Sequence, residues 1–301
     1  MKKSTKFVAL SLALTSLLSL TACQNTTTTV DEDALQIACT TYPVYLLAQE
    51  VTQGVEDVAI TLVIDQQVSC LHDYTLTMQD MKAIEAADVL AINGGDMEHF
   101  LDDVLDGRTV LDCSEGIELL WNEEEGEPDP HLWMNPERYA TMADNLAQGL
   151  AQIDPDNGKQ YTDNAQAMGD ALSQFHQTQL ERLQDLSCRS LITFHNGFQY
   201  FAEAFDLDIV ASVEEEEGAE ASAQRIQELA ELVEQYHIPA VFTEINGSDA
   251  AASTLSAECH VDTFALTLGM SRDIVPESET GLDAYEWIIS YDIDTLLEAY
   301  A

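Results

Sequence analysis

The chain has 301 residues, of which 46% are hydrophobic and 22% are charged, and this length suits two modest domains or one large one. It contains 55 acidic but only 11 basic residues, which gives a formal net charge of −44 at pH 7. A negative field of this size repels nucleic acid and anionic lipid headgroups, and it concentrates cations near the surface. We therefore expect no nucleic-acid partner, and we consider cations first.

The first 22 residues have the pattern of a secretory signal peptide. A basic start with Lys2, Lys3 and Lys6 precedes a leucine-rich apolar run that ends in LTAC (20–23). Small residues before a cysteine resemble the bacterial lipobox, in which cleavage leaves Cys23 as the diacylated first residue. The alternative is an ordinary signal peptide with an incidental cysteine.

The next segment, 23–33, is polar and rich in threonine, which is typical of a flexible tether. No later stretch approaches the roughly 20 consecutive apolar residues of a membrane-spanning helix. Two acyl chains anchor a protein stably where one holds it only marginally. We expect an extracytoplasmic protein that is lipid-anchored to a bacterial cell membrane.

An odd number of cysteines remains after Cys23, so at least one thiol outside the cell is unpaired. No CxxC pair exists, which argues against a zinc site built from thiolates. A disulfide bridge between Cys70 and Cys113 in the first half of the chain, or between Cys188 and Cys259 in the second half, is compatible with the order of the elements, and the sequence does not decide whether either forms. The five are Cys39, Cys70, Cys113, Cys188 and Cys259.

Residues 34–153 alternate between strand and helix patterns and form the first predicted lobe. Apolar and β-branched runs predict strands. Thr77 and Asp80 have the spacing of a capping box, and Asn135-Pro136 supplies an N-cap followed by proline. The predicted strands are 35–41, 58–64, 89–93 and 109–113, and the predicted helices are 43–51, 77–87, 97–105 and 136–153.

The segment 154–187 predicts one long helix. Apolar residues recur at helical spacing from Tyr161 to Leu183, and no proline interrupts Asp156–Leu186. Some 30 residues at 1.5 Å each span about 45 Å, which is longer than an ordinary domain helix. We interpret it as a rigid connector between two lobes, the alternative being a kinked helix within one domain.

Alternation resumes in 188–301, the second predicted lobe. Strands that alternate with helices indicate parallel sheets, and such sheets bind ligands at the carboxyl ends of their strands. The predicted fold class is α/β, with two Rossmann-like lobes joined by the connecting helix and a metal site in the cleft between them. The predicted strands are 190–195, 208–213, 240–245 and 261–266, with helices over 197–205, 222–237, up to 259 and over 284–300.

Three of the seven histidines fall at the expected ligand edge. His72 follows the second strand, His131 precedes a helix in DPHLWMNP, and His195 ends the strand SLITFH. Three imidazoles suit Zn²⁺ and leave one coordination position, whereas manganese prefers more oxygen ligands. A ligating ring also needs a partner for its second nitrogen, and Asp73, Asp129 and Asn196 stand beside the three histidines.

Three motifs resemble the zinc-type, ZnuA/AdcA-like solute-binding lipoproteins of bacterial ABC importers, the metal-specific cluster A-I or solute-binding protein family 9. TTYPVYLLAQEV (40–51) with HDYTLTMQDMKAIEAADVLAING (72–94), DPHLWMNPERYATMADNLAQGL (129–150) and FHNGFQYFAEAFDL (194–207) carry the resemblance over the whole chain. It implies that His72, His131 and His195 bind zinc, with manganese as the second choice. It also implies a monomer, not an enzyme, that delivers a divalent metal to a membrane permease.

The sequence departs from the family pattern at the fourth ligand. The family places Asp or Glu after the strand that begins VDTFAL, and Leu266 or Thr267 occupies that position here. Neither replaces a carboxylate, so the candidates for the fourth ligand or its supporting shell are Glu244, Glu217, Thr267 and water.

Two other classes of function stay open at this point. Three histidines and a water also describe a hydrolytic zinc, with Glu244 as general base, although no HExxH motif supports it. A surface adhesin without stoichiometric metal is the third class. Within the metal-importer family, a manganese or iron binder is the alternative to zinc.

Overall fold

The computed structural model describes residues 34–66, 71, 74–122, 126–213, 221–245 and 250–301. The predicted signal peptide, the tether, the lipidation site Cys23, and the candidate site residues His72, Asp73 and Glu217 lie outside the described residues, as does Cys70.

The first lobe contains a four-stranded sheet in which every neighbouring pair is parallel. The strands are β1 (Leu35–Cys39), β2 (Val58–Leu62), β3 (Val89–Ile92) and β4 (Val110–Asp112), in the order β2-β1-β3-β4. Parallel strands need crossover connections, and α-helices supply those from β1 to β2 and from β2 to β3, whereas a loop with a 3-10 turn connects β3 to β4. The helices are α1 (Tyr42–Val51), α2 (Met78–Ala86) and α3 (Pro136–Ile153).

Helix starts in this lobe follow the capping signals of the sequence. The side chain of Thr77 accepts the backbone N–H of Asp80, and the Asp80 carboxylate accepts the N–H of Thr77 at 2.7 Å, which confirms the capping box. Asn135 accepts the N–H groups of Glu137 and Arg138 and so caps α3, whose first residue is Pro136.

The predicted helix over 97–105 is wrong, because the structure has only a 3-10 turn, His99–Leu101, in its place. The Glu98 carboxylate accepts the N–H groups of Asn93 and Gly94, which closes the preceding loop on itself. Asp102 and Asp103 would also place negative charge at the carboxyl end of such a helix, where the helix dipole disfavours it.

A short hairpin that the sequence did not predict precedes His131. Strands β5 (Trp121–Asn122) and β6 (Glu127–Pro128) pair antiparallel, and a 3-10 turn over Leu132–Met134 follows His131.

The long helix is α4 (Gly158–Arg182), 25 residues, somewhat shorter than the predicted 154–187 segment. It buries the residues predicted at helical spacing, among them Tyr161, Met168 and Leu172. Near its start the Asn164 amide donates to the carbonyls of Val51 and Gln53, both at 2.9 Å. Near its end Arg182 pairs with Asp294. The helix is therefore bonded to elements from both ends of the chain.

The second lobe repeats the parallel arrangement with two strand pairs, β7 with β8 and β9 with β10. The strands are β7 (Ser190–Thr193), β8 (Asp208–Ser212), β9 (Ala240–Glu244) and β10 (Asp262–Leu266). The helices are α5 (Gln199–Phe205), α6 (Ala223–Tyr236), α7 (Ala250–Cys259) and α8 (Gly281–Ala299). The α/β class with parallel sheets is thereby confirmed.

The core is continuous between the lobes. The rings of Tyr139 on α3 and Tyr285 on α8 stack with their centroids 4.0 Å apart, and both side chains are buried. Tyr285 Oη donates to the carbonyl of Trp133, and Trp133 Nε1 donates to the carbonyl of Leu268 at 2.7 Å. These bonds fix the turn after His131 against the second lobe.

Cys39, Cys113, Cys188 and Cys259 are free thiols, so the bridge considered between Cys188 and Cys259 is absent. Cys39 and Cys113 are buried in the core, where they pack as small apolar side chains. Within the described part of the chain, none of the helices combines the length and the apolar character that a membrane span requires.

Candidate metal centre

His131 is held in one orientation by the residue that the sequence placed beside it. Asp129 Oδ1 accepts the backbone N–H of His131 at 2.9 Å and lies 2.8 Å from its ring Nδ1. Both side chains are buried. A carboxylate can only accept, so Nδ1 of the neutral ring carries the hydrogen and Nε2 presents its lone pair.

The loop that carries Asp129 is itself fixed. The backbone N–H of Asp129 donates to the carbonyl of Leu120, and the carbonyl of Asp129 accepts a hydrogen bond from Tyr200 Oη at 2.9 Å. Asn93, at the end of β3, donates its amide to the carbonyl of Pro130. Residues from both lobes therefore position the backbone of His131.

His195 follows β7 and also lies beside a carboxylate. Its Nδ1 lies 2.8 Å from Oε2 of Glu244, the last residue of β9, and both groups are buried. This contact has the distance of an ion pair but not the geometry of a hydrogen bond, since Oε2 of Glu244 has no hydrogen-bond partner within the described residues. The nearby carboxylate still favours the hydrogen on Nδ1 and the lone pair on Nε2. An imidazole whose second nitrogen is held by a carboxylate is the usual arrangement of a zinc ligand.

The two rings converge on one small space beside Gly197. Their centroids are 6.0 Å apart, with an interplanar angle of 60°. A Cβ atom added at Gly197 would lie 2.8 Å from His195 Nε2 and 3.2 Å from His131 Nε2. Both lone-pair nitrogens therefore face the space that the missing side chain leaves open. Zn–N bonds of about 2.0–2.1 Å fit such a space.

The side chains of Asn196 and Thr267, two other predicted site residues, are hydrogen-bonded to neighbouring groups. Asn196 donates its amide to Asn122 at 2.6 Å and accepts from Gln199, so its side chain is engaged with the hairpin and with α5. Thr267 is buried, and its Oγ1 accepts the N–H of Gly269. Within the described ranges, which omit His72, no three His, Cys, Asp or Glu residues are placed to hold a metal.

Two residues of this region, Gly197 and Asp292, were not identified from the sequence. Gly197 was only one glycine in a helix start, and its importance comes from the two rings that meet beside it. Asp292 is fully buried on α8 and belongs to none of the motifs that the sequence shows. It does interrupt an otherwise apolar face with Ile288, Ile289 and Leu296, and that interruption is the clue that periodicity could have offered.

The fold and the two converging histidines define a two-lobed α/β binding protein with a site between its strand ends. The chain belongs to the ZnuA family, described as zinc-uptake complex component A, periplasmic, whose sequence profile matches residues 37–299.

Individual relatives support the same placement. The chain is 29% identical to the zinc-binding lipoprotein AdcA of Streptococcus pneumoniae over 87% of this chain, and it spans 55% of that protein's length. It is 25% identical to the manganese-binding lipoprotein MntA of Halalkalibacterium halodurans, over 75% of this chain and 76% of that one. The crystal structure of ZnuA superposes with a TM-score of 0.77 at 24% identity, covering 89% of this chain and all of that chain. This likeness confirms the two-lobed fold with its connecting helix.

Proposed function

We propose that this protein is the extracytoplasmic zinc-capturing component of an ABC metal importer. The observation that carries the proposal is the pair of Nε2 atoms of His131 and His195 beside Gly197, each on a ring whose Nδ1 faces a buried carboxylate. In the proposal His72 supplies the third nitrogen. An all-nitrogen set from three histidines favours zinc over manganese, because manganese prefers oxygen ligands.

The protein acts by capture rather than by chemistry. Zinc enters between the strand ends, the histidines of both lobes bind it, and the loaded protein docks as a monomer on a membrane permease. Glu244 is engaged with His195, so we assign it the role of holding that ligand. A water molecule, Thr267 or Glu217 completes the coordination.

The proposed location follows from Cys23 and from the relatives. AdcA and MntA are both named lipoproteins. We propose that Cys23 carries the lipid anchor and that residues 23–33 tether the two lobes outside the membrane.

Titration calorimetry with zinc and with manganese tests the function. The wild-type protein is expected to bind one zinc ion, and zinc more tightly than manganese. His131→Ala and His195→Ala should each weaken zinc binding by more than the roughly 10- to 100-fold that loss of a ligand's hydrogen-bonding partner costs.

His195→Glu tests the metal preference, because a carboxylate in place of an imidazole should move the protein towards manganese. His260→Asn is the control, since this exposed histidine precedes β10 and asparagine tolerates its positive φ of 58°. A wild-type protein that prefers manganese, or that binds no zinc, contradicts the proposal.

A further inference from the structure

One side of the space between His131 and His195 is formed by the side chain of Leu268. Among the described residues, three side-chain atoms lie within 3.2 Å of the point where a Cβ of Gly197 would stand. Two of them are the Nε2 atoms of the histidines, and the third is Leu268 Cδ1, at 2.8 Å. Leu268 has no exposed surface. A methyl group therefore borders the space that the two lone-pair nitrogens face.

The turn that carries Leu268 is fixed from both lobes. The Leu268 carbonyl accepts the indole N–H of Trp133 at 2.7 Å. On one side of Leu268, the N–H of Thr267 donates to Asp292 Oδ1 at 2.9 Å. On the other side, Gly269 has a φ of +68°, and a Cβ there would lie 2.8 Å from two side-chain carbons of α8. The turn is packed so closely that Leu268 cannot withdraw without breaking these contacts.

Further apolar groups surround the two imidazole rings. The Trp133 ring lies 5.3 Å from the His131 ring, and the Phe198 ring lies 6.4 Å from the His195 ring, measured between centroids. Trp133 and Phe198 are both buried. The side chains of Phe198 and Leu268 have no atom that can coordinate a metal. An apolar shell of this kind controls the access of water to a metal site.

Coordination number separates zinc from competing divalent ions. Zinc in proteins is usually four-coordinate, whereas magnesium and manganese favour six ligands, chiefly oxygen. An ion held by three histidine nitrogens needs one further ligand to reach four, but three further ligands to reach six. A methyl group cannot coordinate, and it occupies volume that additional water molecules would need.

We propose that Leu268 is a selectivity-determining residue, which closes one side of the site to water so that only a four-coordinate ion is accommodated. Imidazole also binds copper, iron and nickel, so nitrogen ligands alone do not select zinc, and site geometry has to contribute. The histidines supply affinity, and Leu268 restricts the number of ligands. This role rests on the proposed zinc-binding function and adds to it a residue that does not itself bind the metal.

Leu268→Ala tests the role directly, because it removes the methyl groups and adds no ligand. Competition titrations with zinc and manganese measure the ratio of the two affinities. We expect the preference for zinc to fall by about tenfold or more, the range in which groups around metal ligands act. Leu268→Asn, which has a shape similar to leucine and adds an oxygen, should lower the preference as well.

Leu268→Met is the matched control, since methionine conserves the apolar volume, and it should keep the wild-type preference. Leu268→Val draws the methyl groups back by one carbon with the least disturbance to packing, so its preference should fall less than that of Leu268→Ala. Thermal melting of each zinc-free variant, followed by circular dichroism, verifies that it is folded.

Visible spectra of the cobalt(II)-substituted proteins give a second readout that does not depend on affinity. Four-coordinate cobalt absorbs intensely and six-coordinate cobalt absorbs weakly. The wild-type protein and Leu268→Met should give the intense spectrum. Leu268→Ala and Leu268→Asn should give a weaker one, because water or the added oxygen joins the coordination shell.

The outcomes separate the two proposals. Wild-type protein that binds no zinc, or that prefers manganese, overturns the proposed function. Wild-type protein that prefers zinc, with the same preference and the same cobalt spectrum in the folded alanine, valine and asparagine variants, overturns only the role of Leu268, which is then an ordinary core side chain.

Discussion

Gly197 leaves open the space into which His131 and His195 point. Replacing it with leucine would fill that space, since even its Cβ would lie within 3.2 Å of both Nε2 atoms. The φ of Gly197 is not in the left-handed region, so the backbone tolerates a side chain. We expect Gly197→Leu to abolish measurable zinc binding in calorimetry while the protein stays folded.

Gly169→Leu is the matched control for this substitution. Gly169 lies on α4, where an added Cβ would meet only Ala140, at an ordinary 3.8 Å. It should fold and bind zinc as the wild-type protein does. Wild-type zinc affinity in Gly197→Leu would show that the metal does not occupy the space between the two rings.

Glu98 is a buried carboxylic acid whose protonation affects the stability of the fold. Its carboxylate accepts Thr40 Oγ1 at 2.6 Å and the backbone N–H groups of Asn93 and Gly94. Burial raises the pKa of Glu98 to about 7 despite these hydrogen bonds. The side chain organises the loop from which Asn93 reaches the carbonyl before His131.

This raised pKa gives a testable pH dependence. Between the ordinary pKa of glutamate and about 7, the folded protein keeps a proton that the unfolded chain releases. The stabilisation is therefore complete at low pH and is lost as the pH rises through about 7, with a size on the order of 3 kcal/mol. Glu98→Gln cannot titrate and should lack this part of the pH dependence.

Urea unfolding of zinc-free protein at about pH 5 and about pH 8 measures the effect. The free energy of unfolding should fall more between these values in the wild-type protein than in Glu98→Gln. Glu115→Gln, at an exposed position, should behave as the wild-type protein does. Equal pH dependence in the wild-type protein and in Glu98→Gln would refute the assignment.

At the scale of single residues, the sequence predicted what local patterns encode. Asp129 was found beside His131 because the two are neighbours in the chain, and Glu244 because it ends a strand on the ligand edge. The bond from Asp292 to Thr267 joins residues 25 positions apart, and the convergence on Gly197 depends on two lobes meeting. Neither follows from a motif, because both arise from tertiary packing.

At the scale of secondary structure, every predicted strand has a counterpart, and α2 and α3 begin at their predicted capping residues, Thr77 and Asn135. Apolar periodicity and caps encode these elements strongly. The predictions that failed concern short, polar segments. The hairpin of β5 and β6 has only two residues per strand, and the helix over 97–105 gave way to a loop that the Glu98 side chain closes.

Helix α4 shows how one element couples both lobes. Asn164 binds the end of α1, and Arg182 binds Asp294 on α8. Helix α8 in turn begins against α1, where its first N–H groups donate to the side chains of Gln49 and Glu50. The proposed lobe boundaries at 153 and 188 therefore separate sheets, but the helices around them are shared.

This sharing limits how far the whole molecule can move when it binds metal. Wide closure of the lobes would break the bonds of α4, the contact between α1 and α8, and the indole bond from Trp133 to Leu268. Hinge motion is absorbed by a few loop residues, whereas a packed helix resists it. We expect zinc to order side chains and loops without a large displacement of the lobes.

Small-angle X-ray scattering of zinc-free and zinc-loaded protein tests this expectation, and the two curves should superimpose. A formal net charge of −44 makes the chain sensitive to ionic screening, so magnesium at the same ionic strength is the control. Magnesium prefers oxygen ligands and water, and the histidine site should not take it. A radius of gyration that falls with zinc but not with magnesium would show that the lobes close on the ion. The helical connector would then have to yield at its bonds to α1 or α8, and not within α4 itself.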